Sequence, residues 1–192
     1  MLLSNKVYRI QRKPQQFIGH LERYVWACLY CHKKRVLDVG AKDGYGSHLL
    51  STFAEHITIA DIDKWRLDKA EAMYKFLCAT DIQVVDFEKE FSNEKYGVIV
   101  AFDVIEHLEN PDFFMQNVVE HLEEDGLLLF SVPHMIENEV HKVLFDEQKI
   151  KDLVGKYLKL EEFYTQDKIG ISNKPAQFPP KCYVGVARKI WQ

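Results

Sequence analysis

RVLDVGAKDGYGS, residues 35–47, reads as a β-strand that runs into a glycine-rich turn and then opens a helix. Arg35 to Val39 supply a short apolar run that carries one acid, Asp38. Gly40, Gly44 and Gly46 let backbone come close to a ligand where side chains would block it. A nucleotide-like cofactor is the usual guest at such a turn, at the carboxyl edge of a parallel sheet. An ordinary strand-to-helix connection with a few glycines is the plainer alternative. The sequence on either side decides between them.

Downstream, strand and helix patterns alternate. HITIADI (56–62), IQVVDF (82–87), GVIVAFD (97–103) and LLLFSV (127–132) read as strands. Helices are expected over 45–53, 64–78 and 111–122, the last with Asn110 as cap and Pro111 in its first turn. Upstream, Phe17, Ile18, Leu21, Tyr24, Val25, Cys28 and Leu29 recur at helical spacing between Gln15 and about His32. Strands that are apolar nearly throughout belong to a sheet covered on both faces, hence parallel and doubly wound. After Pro133 the pattern changes: a loop from His134 to Leu144, a helix at 146–156, then LKLEEFYT (158–165) and KCYVGVARK (181–189) as a closing antiparallel pair. The expected fold is therefore a single-domain α/β, Rossmann-like doubly wound sheet. It is mostly parallel, with an antiparallel last strand and the order 3-2-1-4-5-7-6. Residues 1–14 read as an N-terminal arm and 15–192 as the domain.

Composition bounds the function class. A chain of 192 residues with 47% hydrophobic and 28% charged residues is ordinary for one globular domain. The net charge of −4 speaks against a broad nucleic-acid footprint, although Lys6, Arg9, Arg12 and Lys13 cluster in the arm. No apolar run has membrane-spanning length and the N-terminus lacks an apolar signal core, so the expected location is cytoplasmic with no membrane partner. Cys28-Leu-Tyr-Cys31-His32 matches the haem-attachment pattern, but it lies in an apparent helix without an export signal. Its cysteines read as small buried hydrophobes. No metal site is expected.

Four features fall at the carboxyl ends of four successive strands, where an open α/β sheet binds its ligand. The first is Asp38 with the glycine turn. The second is Asp61, whose carboxylate can accept from both hydroxyls of a ribose. The third is Asp86 with Phe87, suited to accept from an adenine amino group and to pack on its ring. The fourth is AFDVIEHL (101–108), whose backbone leaves the strand beside the cofactor. A dinucleotide site would want G-x-G-x-x-G to admit a pyrophosphate, and the spacing Gly40, Gly44, Gly46 differs.

These segments together resemble the class I S-adenosylmethionine-dependent methyltransferases over about residues 17–189. RVLDVGAKDGYGS resembles the family's first motif, HITIADID the ribose-acid motif, DIQVVDFE the adenine-side motif and YGVIVAFDVIEHLENP the fourth-strand motif. Arg23–Tyr24, GYGS and VHKVLFDEQKIKDLVGKY look closer to a branch that methylates sugars and other small molecules. The resemblance implies S-adenosyl-L-methionine as cofactor and S-adenosyl-L-homocysteine as its product. It assigns cofactor contacts to Tyr24 and Asp38, to Gly40, Ala41, Lys42, Gly44, Tyr45 and Gly46 of the turn, and to Asp61 and Ile62. Asp86, Phe87, Phe102, Asp103 and Val104 complete the set. One position departs: Lys42 stands where the family usually has glycine, with its side chain either turned to solvent or reaching toward the cofactor carboxylate.

Methyl transfer from a sulfonium needs alignment above all. A hydroxyl acceptor also needs a base, and a neutral histidine suits that work. His107, His134 and His141 are the candidates, with Glu106 placed to orient His107 or approach the acceptor. The expected acceptor is an oxygen or nitrogen of a small molecule or glycan precursor. Two alternatives stand beside it: a methyltransferase-like scaffold without catalysis, and a metal-assisted RNA 2′-O-methyltransferase, whose metal set Asp103, Glu106, His107 and a later histidine resemble.

Overall fold

In the computed structural model, which describes residues 14–91, 94–137, 139–167, 170–173 and 180–190, strand and helix alternate as the periodicity implies. The elements are α1 (Pro14–Ala27), β1 (Arg35–Val39), α2 (Tyr45–Leu50), β2 (His56–Asp61), α3 (Lys64–Met73), β3 (Ala79–Val84) and β4 (Tyr96–Phe102). They continue with α4 (Pro111–His121), β5 (Leu122–Pro133), α5 (Glu147–Gly155), β6 (Lys159–Gln166), β7 (Ile171–Ser172) and β8 (Cys182–Arg188). One sheet holds all the strands in the order β3-β2-β1-β4-β5-β8-β6-β7. The strands from β3 to β5 are parallel, and β8 runs antiparallel between β5 and β6. The expected order holds, with β7 added at the edge as a two-residue strand too short to carry a period. The basic arm and the prolines of 174–179 lie outside the described residues.

Period two along the central strands feeds both faces. Leu37 and Val39 of β1, with Ile99 and Ala101 of β4, pack among Phe114 and Met115 of α4 and Ile150 of α5. Their alternating neighbours Val36, Val98, Val100 and Phe102 pack on the other side among Tyr24, Ala27, Leu50 and Leu67 from α1, α2 and α3. Asp63, Asn110 and Asp146 cap α3, α4 and α5, each accepting from a backbone N–H in the first turn. Among the described residues no helix is long and apolar enough to cross a membrane.

Several boundaries differ from expectation. The N-terminal helix ends at Ala27 and Cys28–Tyr30 form a 3-10 turn, so the pattern to His32 spans two elements. Helix α3 stops five residues early because Tyr74 turns extended, freeing the Leu77 N–H to donate to the Ser51 hydroxyl at 3.0 Å. Strand β3 lies at 79–84 rather than 82–87. It is the sheet's edge, half-exposed and weakly patterned, whereas Val85 and Phe87 are apolar because the following loop buries them in the core. Strand β5 begins at Leu122, five residues before its expected start.

The chain winds outward through β2 and β3, then crosses back to β4. The order reverses between β1 and β4, and in such sheets the loops part there to leave a crevice.

Candidate functional site

A cleft of about 270 Å³ opens at that reversal. Its walls are the loops after β1 (Gly40, Lys42), β2 (Asp61, Ile62), β3 (Val85 to Glu88) and β4 (Asp103, Val104, His107, Leu108). The volume approaches the lower end of small-ligand sites, roughly 300 Å³. Its lining carries the acids Asp61, Asp86, Glu88 and Asp103 and the cation Lys42. A second hollow, about 380 Å³ between Phe91, Lys95 and α4, is polar and lies away from these loops.

Asp61 ends β2 and grips the turn opposite. One carboxylate oxygen accepts from the Lys42 N–H and the other from the Asp63 N–H, both at 2.9 Å. The Ala41 N–H donates to the Ala60 carbonyl at 3.1 Å, so the turn is stitched to β2 at two points. Each Asp61 oxygen keeps a second lone pair for a ligand hydroxyl. Gly40 has φ +66°, and a Cβ there would press Val104 Cγ2 at 2.9 Å.

Lys42 also lies in the left-handed region, with φ +52°. That region costs a residue with a Cβ about 1–2 kcal/mol, which explains why glycine suits the position. Glycine in turn loses about 0.5–1 kcal/mol of chain entropy. Lys42→Gly is therefore expected to raise stability by up to about 1 kcal/mol, read from urea midpoints. A drop would mean the lysine side chain contributes more than its backbone costs.

Gly44 and Gly46 serve packing. A Cβ at Gly44 would overlap Ala70 of α3, and one at Gly46 would overlap the Tyr24 ring. Tyr45 meets that ring edge-on at 5.6 Å and Phe102 at 5.2 Å. Beneath the turn, fully buried Asp38 accepts from the Tyr24 hydroxyl at 3.1 Å and the Ser47 hydroxyl at 2.6 Å. Asp38 and Tyr24 are thus supports of the turn and not lining of the cleft.

Burial pushes the Asp38 carboxyl up to about 7, against the pull of both hydroxyls and with the charge of Asp61 adding to the rise. The raised value sets the sign. From about pH 4 to 7 the unfolded chain releases this proton while the folded chain keeps it, so folding weakens as pH rises through that window. The slope reaches at most about 1.4 kcal/mol per pH unit. Asp38→Asn is expected to flatten the stability–pH curve between those limits. An unchanged slope in urea titrations would sink the assignment.

After β3, Asp86 lies half-buried at the cleft rim, accepting from the Glu88 N–H at 3.1 Å and pairing with Lys89 at 2.6 Å. Those bonds hold its carboxyl below the ordinary value. Phe87 is buried against Phe91 and Phe114. After β4, Asp103 adopts φ +52° and turns its carboxylate to α1, accepting from Arg23 at 2.7 Å and His20 at 2.8 Å. Ser131 of β5 donates to its other oxygen at 2.8 Å. Burial works against this charge, but Arg23 and His20 hold the carboxyl well below the usual range. Arg23 also donates to Gln166 of β6 at 2.6 Å, which ties α1 to the strand ends. This network joins residues 80 and 143 positions apart, and no local motif announces it.

Of the four candidate catalytic residues, three come together. His107 lines the cleft, and its ring meets that of His141 edge-on at 4.9 Å. Glu106 lies 1% exposed beneath them, its Oε1 3.7 Å from His107 Nε2. Burial, then the charge of Asp103, pushes the Glu106 carboxyl up to about 8, while burial pulls His107 below its ordinary value. His134 stands apart, its Nδ1 2.8 Å from the Tyr183 hydroxyl, and it does not line the cleft.

A family model described as a methyltransferase domain matches residues 15–157. The chain is 32% identical over 105 residues to a ubiquinone biosynthesis O-methyltransferase of Glaesserella parasuis, covering 51% of this chain and 44% of that protein. It is 26% identical over 138 residues to a malonyl-acyl-carrier protein O-methyltransferase of Bacillus cereus, covering 70% and 51%. The chain thus spans about half the length of these curated relatives. Among solved structures, the N-methyltransferase NodS of Bradyrhizobium japonicum with S-adenosylhomocysteine superposes with TM-score 0.75 at 16% identity, covering 95% of this chain and 91% of that one. That likeness is one of fold.

Proposed function

Because this chain belongs to the S-adenosylmethionine-dependent methyltransferase family, we propose that it moves the cofactor's methyl group to an oxygen or nitrogen of a small molecule or glycan precursor. The observation that carries the placement is Asp61, a carboxylate at the end of β2 whose two oxygens face the cleft turn with lone pairs to spare. In this reading Asp61 takes the ribose hydroxyls, Asp86 the adenine amino group, and Gly40 to Lys42 run beside the methionine part. When bound, the cofactor supplies an activated methyl group on a sulfonium leaving group. The chain's own task is to align the acceptor in line with it, a contribution of roughly 7–11 kcal/mol.

His107, at the cleft wall, is placed to receive an acceptor proton. Its Nδ1 meets the Val140 carbonyl at 3.0 Å, which in the neutral ring puts the proton on Nδ1 and the lone pair on Nε2. The ubiquinone biosynthesis O-methyltransferase and the malonyl-acyl-carrier protein O-methyltransferase, both named for transfer to oxygen, support an oxygen acceptor. The test is transfer of radiolabelled methyl from S-adenosylmethionine into fractionated cell extract. The expected label lies in the low-mass fraction and survives mild alkali. Label in RNA would favour the nucleic-acid alternative, and no label anywhere the scaffold.

A further inference from the structure

We infer that Lys42 selects the acceptor: its ammonium holds an oxyanion of that molecule, a carboxylate or a phosphate, at the end of the cleft where His107 stands. This names the acceptor's class within the methyl-transfer reading and rests on that reading.

Lys42 lines the cleft and holds φ +52°, a left-handed conformation that its Cβ makes costly and that glycine takes without that penalty. Strain kept at a ligand cleft points to a task for the side chain that causes it. Asp103 is the other non-glycine residue of the cleft in that region among the described residues, and its side chain has such a task, the ion pairs with Arg23 and His20.

The surroundings of Lys42 give the direction of its charge. Its N–H donates to Asp61 at 2.9 Å, which fixes the backbone beside the acid read as the ribose partner. The ammonium acts across the cleft on two groups of the β4 exit. Burial is the main cause of both their shifts, up to about 8 for the Glu106 carboxyl and downward for the His107 ring. The Lys42 charge opposes the first shift and adds to the second. In S-adenosylmethionine the ribose and the carboxylate lie on opposite sides of the sulfur. A lysine anchored beside the ribose acid and acting on His107 therefore faces the acceptor more directly than that carboxylate.

Near neutral pH Glu106 keeps its proton and brings no charge of its own to this wall. Asp103 turns its carboxylate to α1. An ammonium on a flexible stem acts as a point charge, which suits a carboxylate and a phosphate alike. With that anion held, a hydroxyl or amine elsewhere on the acceptor is brought toward His107 Nε2.

The probes are malonate and inorganic phosphate, titrated separately at low ionic strength into the full chain saturated with S-adenosylhomocysteine, with backbone amide resonances as readout. The expected result is saturable binding of at least one probe, with shifts at Lys42, Glu106 and His107. Lys42→Met is expected to weaken it at least about tenfold, and Lys42→Arg to stay within about threefold of wild type. Lys159→Met, an exposed lysine at the opposite edge of the sheet, is expected to match wild type. The tighter probe tells a carboxylate from a phosphate. Binding of neither, or undiminished binding by Lys42→Met, overturns the inference. Affinity for S-adenosylhomocysteine is expected to be the same in Lys42→Met as in wild type. A loss there, with 5′-methylthioadenosine (which has no carboxylate) bound as before, would give Lys42 to the cofactor and also overturn it. A wild-type chain that binds no S-adenosylhomocysteine would instead overturn the methyl-transfer reading itself, and the inference with it.

Discussion

Asp61→Ala is expected to weaken S-adenosylhomocysteine binding by one to two decades, read by calorimetry. Two hydrogen bonds from ribose hydroxyls to a carboxylate contribute roughly 1.5–3 kcal/mol each in favourable cases, and about 1.4 kcal/mol is a tenfold change. Some of that is offset, because the same oxygens already accept from the Lys42 and Asp63 N–H groups and share their charge. The variant also frees those two donors, so a modest loss of stability accompanies the loss of affinity. Asp61→Asn separates the two effects. Its amide can accept one N–H bond but turns an NH2 group toward the other donor, so it is expected to disturb the turn and bind poorly as well. Unchanged affinity in the alanine variant, with the fold intact, would place the ribose elsewhere.

Gly46→Ala is expected to cost about 3–5 kcal/mol of folding stability, a large share of the 5–15 kcal/mol typical of a domain. The added methyl would overlap ring carbons Cζ, Cε1 and Cε2 of Tyr24. That ring yields only by giving up contacts, because Tyr45 and Phe102 meet it edge-on and its hydroxyl donates to Asp38. Overpacking costs roughly 1–3 kcal/mol, and a broken buried hydrogen bond to Asp38 adds a similar amount. The explanation has its own control. In a Tyr24→Ala background the same glycine change is expected to cost much less, since the obstacle is gone. Equal costs in the two backgrounds, from urea unfolding, would rule out the ring as the cause.

Glycine-rich turns illustrate what a sequence can and cannot show. The spacing Gly40, Gly44, Gly46 after an apolar strand is enough to read a strand, a turn and a helix, because all three are local. Which glycine faces the cleft was not legible. Gly40 does, while Gly44 and Gly46 yield space to Ala70 and Tyr24, partners 26 and 22 positions away in sequence. Asp61 and Asp86 were legible as acids at strand ends, since the parallel sheet brings all such ends to one edge. Asp38 belongs to the same motif, yet the structure buries it under the turn between Tyr24 and Ser47.

The edge strand shows the limit from the other side. Residues 79–84 carry little apolar pattern because half of that strand faces water, so Val85 and Phe87 draw the strand assignment downstream. The meeting of His107 with His141 depends on the Glu106 carbonyl receiving two N–H groups from a loop more than thirty positions on. No periodicity marks such a contact. Neither does any motif mark the pairing of Asp103 with Arg23 and His20, which decides that this acid at the β4 exit stays charged.

The central claim is that the cofactor lies in the crevice between β1 and β4, across the loops after β1, β2, β3 and β4. Titrating isotopically labelled chain with S-adenosylhomocysteine, and following backbone amide resonances, tests it most directly. The expected result is that the large shifts concentrate at Gly40 to Lys42, Asp61 to Asp63, Asp86 to Glu88 and Asp103 to Val104. Shifts gathered instead around Phe91 and α4, or no shifts at saturating ligand, would contradict it.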